Sequence, residues 1–157
     1  MNPKLEVTRV FNAPVELVWK TWTEPALVMR WWGPDHFTCP SAIIDFREGA
    51  TSIVCMRAPA SFGSQDTFSI WTYKKIVLHE TIEFVMNLAD KDGNKANPTD
   101  LGMPPDFPVD IRTVVSFKDL GNNKTEMTVT EYADFGQMSH FAKLGLEQSL
   151  DKMVAIF

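Results

Sequence analysis

Residues Gly136 to Phe157, GQMSHFAKLGLEQSLDKMVAIF, decide how the rest of the sequence is read. At a helical period Met138, Ala142, Gly145, Leu146, Ser149, Leu150, Met153, Ile156 and Phe157 share one broad face, while Lys143, Glu147 and Asp151 occupy the other. That is an amphipathic helix with one face made for burial. At 1.5 Å per residue it would be roughly 30 Å long, the width of a small domain. The preceding chain reads mostly as strands that cannot close a core alone. A curved sheet wrapped around this helix, with any ligand between the two, is the expected arrangement.

The length of 157 residues fits one domain, residues 1–157. A hydrophobic share of 45% and a charged share of 22% are those of an ordinary globular protein. The net charge of −5 argues against nucleic acid as a partner and against an anionic membrane surface. No apolar run is long enough to span a bilayer. The opening Met1-Asn2-Pro3-Lys4-Leu5-Glu6 lacks a signal-peptide core, so a cytoplasmic location is expected. In that reducing compartment Cys39 and Cys55 are expected to be free thiols serving as small hydrophobes.

Leu5 to Phe11 alternates as a first strand. Pro14 and Glu16 suit the first turn of a helix, which presents Val15, Val18, Trp19 and Trp22 as one stripe before Glu24-Pro25 breaks it. A second short helix, Pro25 to Trp32, is stopped by Gly33-Pro34. Strands follow at Phe37–Arg47 and Thr51–Ala58 around a turn at Glu48-Gly49-Ala50, and at Asp66–Val77 and Thr81–Ala89 around Leu78-His79-Glu80. In the fourth of these, Ile82, Phe84, Met86 and Leu88 form an inward row against Thr81, Glu83 and Asn87. Asp90 to Pro108 is a long irregular stretch, either a solvated connection or a lid. Val109–Phe117 and Lys124–Tyr132 are the last strands, joined at Gly121-Asn122-Asn123. This order gives an α+β domain whose antiparallel sheet has one covered face.

Several motifs resemble a known family. They are Phe11-Asn12-Ala13-Pro14-Val15-Glu16-Leu17-Val18-Trp19, Thr23-Glu24-Pro25, Trp31-Trp32-Gly33-Pro34, Asp45-Phe46-Arg47-Glu48-Gly49, Lys124 to Thr130, and Leu146 to Met153. In this order they resemble the AHSA/SRPBCC proteins, relatives of the C-terminal domain of the Hsp90 ATPase activator within the START/Bet v 1-like superfamily. The resemblance covers essentially the whole chain. It implies the helix-grip fold: a bent antiparallel sheet of six to seven strands gripping a long C-terminal helix, with two short helices after the first strand. It also implies a cavity between sheet and helix that holds an apolar ligand in many superfamily members. Ala50 departs from the family's second glycine, and Leu146 stands where many relatives have tryptophan. The activator's own N-terminal domain, with its Trp-His-Trp motif, has no counterpart in these residues, so Hsp90 stimulation is not expected.

The candidate site lies over Ala142, Gly145, Leu146 and Ser149, which are small for the middle of a buried stripe. Gly145 serves either to leave room for a ligand or to let a neighbouring segment approach. Facing it are the inward rows holding Phe84, Val115 and Val129, while Met86, Met127, Met138 and Met153 offer an adaptable lining. Trp31 or Trp32 would stand at the cavity mouth, and Trp71 and Tyr73 share a strand face. Glu131 falls on the row of Met127 and Val129. A strand end that leaves it exposed is the expectation; turned inward, it would be a general acid or base. Asp45 and Arg47 are expected to pair at the surface. His36, His79 and His140 have no metal-ligand spacing, and neither a metal nor a cofactor is expected.

The leading expectation is a protein that binds a small, largely apolar molecule. An enzyme of the cyclase or hydratase kind, using a cavity carboxylate, is the first alternative. A protein-interaction or stress-related module distantly linked to chaperone regulation is the second. Phe141 and Leu144, off the buried stripe, make a homodimer a further expectation.

Overall fold

The computed structural model describes residues 4–157. Met1 to Pro3, which open the stretch read as lacking a signal-peptide core, lie outside the described residues. The chain runs β1 (Leu5–Phe11), α1 (Val15–Thr23), α2 (Pro25–Trp31), β2 (Thr38–Ile43), β3 (Thr51–Arg57), β4 (Asp66–Val77), β5 (Thr81–Ala89), β6 (Ile111–Gly121), β7 (Lys124–Tyr132) and α3 (Ser139–Val154). All strand pairings are antiparallel, in the order β1-β7-β6-β5-β4-β3-β2. The sheet curls around α3, and α1 and α2 follow the first strand: this is the α+β helix-grip fold.

Local sequence explains most element ends. Pro25 opens α2 at a position where no N–H is needed. His79 takes a positive φ of 60° in the β4–β5 turn, and Asn122 and Asn123 take 54° and 57° between β6 and β7. Two strands depart from the sequence reading. β2 stops at Ile43 rather than Arg47, because the chain leaves its partner strand there and Asp45 N donates to Ser52 Oγ instead. Gly49 and Ala50 then exchange backbone hydrogen bonds with Tyr73 on β4. β6 begins at Ile111, not Val109, and continues to Gly121.

The core is built from inward rows. Val129, Val115 and Ile82 lie side by side across β7, β6 and β5, all buried. On β3, where both rows are apolar, Ser52 and Val54 face inward, Ser52 sharing a 2.8 Å hydrogen bond with the Tyr73 hydroxyl. Cys55 is buried on the other row, and Cys39 and Cys55 are both unpaired. Asn87 was expected on the wet face; it is buried because the 90–110 segment folds back over it, and its Nδ2 donates to Val109 O and Asp110 Oδ1.

The final helix also differs from its sequence reading. Residues Gly136–Met138 form a 3-10 turn, and the α-helical part is 16 residues, roughly 24 Å. Its two halves have different surroundings. In the C-terminal half Ser149, Leu150 and Met153 are buried. That half is tied to β1 by Arg9 Nε donating to Asp151 Oδ1 at 2.8 Å, and to the α2–β2 connection by Lys152 Nζ donating to Pro34 O and Phe37 O. In the N-terminal half Ala142, Gly145 and Leu146 are only half-buried. Phe157, expected on the buried face, is 38% exposed and meets Phe11 edge-on. No helix among the described residues is long and apolar enough to cross a membrane.

Candidate functional site

A cavity of about 270 Å³ lies beneath the N-terminal half of α3. It exists because that half presents small side chains to a sheet that is still curving away. Met138, Ala142, Gly145, Leu146 and Ser149 form the roof, and Phe84, Met86 and Val129 lie on the sheet below. These eight candidates are therefore brought together. Trp31, Trp71, Val115, Met127 and Met153 do not line the cavity.

Each of these five has a packing reason. Trp31 is wholly buried, edge-on to Trp22 at 4.7 Å, and its Nε1 donates to Thr21 O at 2.7 Å. Its neighbour Trp32, the residue that caps α2, is the one that lines the space. Trp71 stacks behind Phe84, with ring centroids 5.1 Å apart and planes 20° apart. Val115 is fully buried in the central row. Met127 accepts a hydrogen bond from Trp22 Nε1, and Met153 accepts one from the Thr21 hydroxyl, so both sulfurs belong to the packed base beneath α3.

Sequence reasoning missed the walls. Trp22 was placed on a packing stripe, yet one edge reaches the cavity. Gly33, Pro34, Met56, Thr67 and Ser69 close one side, and Met103 and Phe107 reach in from the 90–110 segment. That segment is ordered rather than merely solvated. Asp90 Oδ1 accepts from Asp92 N and Asn94 N, Asn97 caps the 3-10 turn Pro98–Leu101, and Lys95 pairs with Asp110. Asp106 fastens it to the start of the helix, accepting from Gln137 N at 3.0 Å, and Phe107 meets Phe135 edge-on. The long, proline-rich gap in the strand pattern was the signal for this cover; its two inserted side chains had none.

Glu131 is the clearest correction. Expected at an exposed strand end, it is 8% exposed and lines the cavity. Strand β7 has not ended there, since Glu131 is paired with Leu5 on β1 and with Thr113 on β6. Burial raises its carboxyl to about 7, and no hydrogen bond or ion pair among the described residues offsets that. Ser69 Oγ, also on the cavity wall, has no partner either. Asp45 and Arg47 form the expected surface pair through two 2.7 Å hydrogen bonds, away from the cavity. Among the described residues no group of three His, Cys, Asp or Glu side chains is arranged for a metal ion.

Gly145 is not forced by a close approach. A Cβ built there would meet Pro34 at 3.9 Å, an ordinary contact. Gly145→Ala should therefore stabilise the protein by about 1 kcal/mol through helix propensity alone. Chemical denaturation checks this, and a loss of stability would mean that Pro34 cannot accommodate the methyl group.

Phe141 stands at the rim, 62% exposed, with Leu144 39% exposed beside it on the outer side of α3.

Residues 12–157 match the family described as Activator of Hsp90 ATPase homolog 1-like protein. The fold is shared with a solved protein from Arthrobacter aurescens (TM-score 0.78, 21% identity, covering 98% of this chain and 84% of that one). It is shared with protein CV1439 from Chromobacterium violaceum (TM-score 0.75, 22% identity, 98% and 95% covered). A third is the AHSA1 protein SPO3351 from Silicibacter pomeroyi (TM-score 0.75, 16% identity, 98% and 96% covered). No curated protein matches the chain. A family match over residues 12–157, nearly the whole length, settles the point: the chain belongs to the Activator of Hsp90 ATPase homolog 1-like family.

Proposed function

We propose that this chain is a cytoplasmic protein that binds a small, largely apolar molecule between the curved sheet and the first half of α3. The observation that carries this reading is the cavity itself, about 270 Å³ and walled mainly by Phe, Trp, Met, Leu, Ile and Val side chains. Buried apolar area would supply affinity, and the few polar groups on the wall would set orientation. The unpaired Cys39 and Cys55 favour a reducing compartment.

The test is native mass spectrometry after exposure of the purified protein to lipid and aromatic metabolite pools. A retained small molecule is expected. Ala142→Trp, which places an indole in the open volume, should weaken its retention at least about tenfold while leaving the fold intact, since the added ring enters empty space. Retention unchanged by Ala142→Trp would move the binding elsewhere, and no retained molecule from any pool would remove the proposal.

One observation favours an enzyme of the cyclase or hydratase kind. The Glu131 carboxyl, raised to about 7, sits beside open volume in the state a general acid or base requires. On that reading the retained molecule is converted by the protein and left unconverted by Glu131→Gln, which product analysis would detect.

A further inference from the structure

From the cavity's charge pattern we infer that its ligand is an apolar molecule bearing a basic nitrogen, with the ammonium group held against Glu131. The inference rests on the binding role proposed above and specifies the ligand's chemistry. Among the described residues Glu131 is the one charged side chain on the cavity wall; no Lys, Arg or His lines it. An anionic ligand, such as a fatty acid, would bring a second negative charge to Glu131 with no cation to meet it. A neutral ligand would leave the carboxyl without a charged partner. An ammonium satisfies it with a charge-assisted hydrogen bond at a carboxylate that is only 8% exposed.

The remaining wall fits the same chemistry. Trp22, Trp32, Phe84, Phe107, Phe135 and Phe141 all border the space. Aromatic faces attract a cation through the ring quadrupole, most strongly where water is absent. The whole chain carries a net charge of −5, which draws cations toward the mouth. A cavity of about 270 Å³ takes a molecule of about a dozen heavy atoms.

Among the described residues no other titratable side chain lines the cavity with Glu131. Across the sheet its neighbours are Leu5 and Thr113. The Thr113 hydroxyl donates to Ile111 O. The roof residues of α3 and the rings of Phe107 and Phe135 do not ionise. Titratable groups on or beside these elements are solvent-exposed or engaged elsewhere: Lys4, just before β1, pairs with Glu6, Arg112 on β6 pairs with Glu83, His140 and Lys143 on α3 are exposed, and Asp106 accepts from Gln137.

Three matched probes test this: 4-phenylbutylamine, 4-phenylbutanol and 4-phenylbutyrate, titrated calorimetrically at pH 8. The amine should bind at least tenfold more tightly than the alcohol, with the carboxylate weakest. Glu131→Gln should cut amine affinity at least tenfold and leave the alcohol nearly unchanged. In the wild-type protein the amine's advantage should shrink about tenfold from pH 8 to pH 6, as the carboxyl is protonated. Alcohol binding equal to amine binding would overturn the ammonium assignment and leave the cavity reading standing. An amine advantage that survives Glu131→Gln and does not vary with pH would take Glu131 out of it. Failure of all three probes to bind would overturn the ammonium assignment for ligands of this size, and the cavity reading would then stand or fall on the retention test above.

Discussion

Between pH 4 and pH 8 the protein is expected to lose about 3 kcal/mol of stability that a Glu131→Gln variant does not lose. The folded-state carboxyl is raised from 4.5 to about 7 by burial alone. Each pKa unit is 1.36 kcal/mol, which gives the magnitude. The sign follows from proton counting. Below about 4.5 both folded and unfolded chains hold the proton, and Glu131 costs nothing through ionisation. Between 4.5 and 7 the unfolded chain has released it while the folded chain keeps it, so rising pH favours unfolding. Above 7 the loss is complete and flat. Urea denaturation at pH 4, 6 and 8 on both proteins measures the difference. Parallel curves for the two proteins would show that Glu131 is solvated or paired in solution. A bound ammonium ligand should reverse much of the loss, because it stabilises the ionised form that folding otherwise opposes.

Trp31→Ala should cost about 3–5 kcal/mol, the range for deleting a fully buried aromatic side chain. Trp31 is 0% exposed, packs on Trp22 and Trp32, and supplies an indole N–H to Thr21 O. Its removal leaves a void between α1 and α2 and orphans that carbonyl. Trp32→Ala, one residue on, should cost much less, because this side chain is only partly buried and borders open volume. Thermal melts of the two variants side by side check the contrast. Equal losses would mean that the two tryptophans share one packing role.

This pair shows where sequence reading stops. Consecutive helix positions point about 100° apart. Either Trp31 or Trp32 suits a mouth, and the choice depends on how α2 lies against the sheet. The same limit applies to α3. Its period identified the inward face; Ala142, Gly145, Leu146 and Ser149 were legible from spacing and small size, and Met138 from its place on the same face. Period alone does not say which half of the face meets packed side chains; the answer depends on where the sheet curls away and on what Arg9 and Lys152 hold fast. Strands β5 and β7 were legible to their ends because their alternation is regular there, whereas β4, with Ser69, Ile70 and Trp71 buried in succession and a register shift after Tyr73, was bounded by its flanking turns alone. Glu131 was misread because residue type argued for exposure, whereas pairing with both β1 and β6 keeps the strand enclosed. Asn87 was hidden for a related reason: its cover comes from a segment without periodicity.

The strand order also constrains how the molecule assembles. From β2 through β7 every neighbouring pair joins consecutive strands, and all but β5 and β6, separated by the 90–110 segment, are linked by short connections from which pairing can start. Strand β1 has no such partner. Thr8 meets Thr128, 120 positions away, and Arg9 reaches Asp151 over 142. Strand β1 therefore waits until β7 is available to it. When β7 finally receives it, the same closing step seats the C-terminal half of α3. Until that step Leu5, Val7 and Phe11, all buried in the finished fold, lack their cover, and apolar side chains left open in this way favour association with other chains.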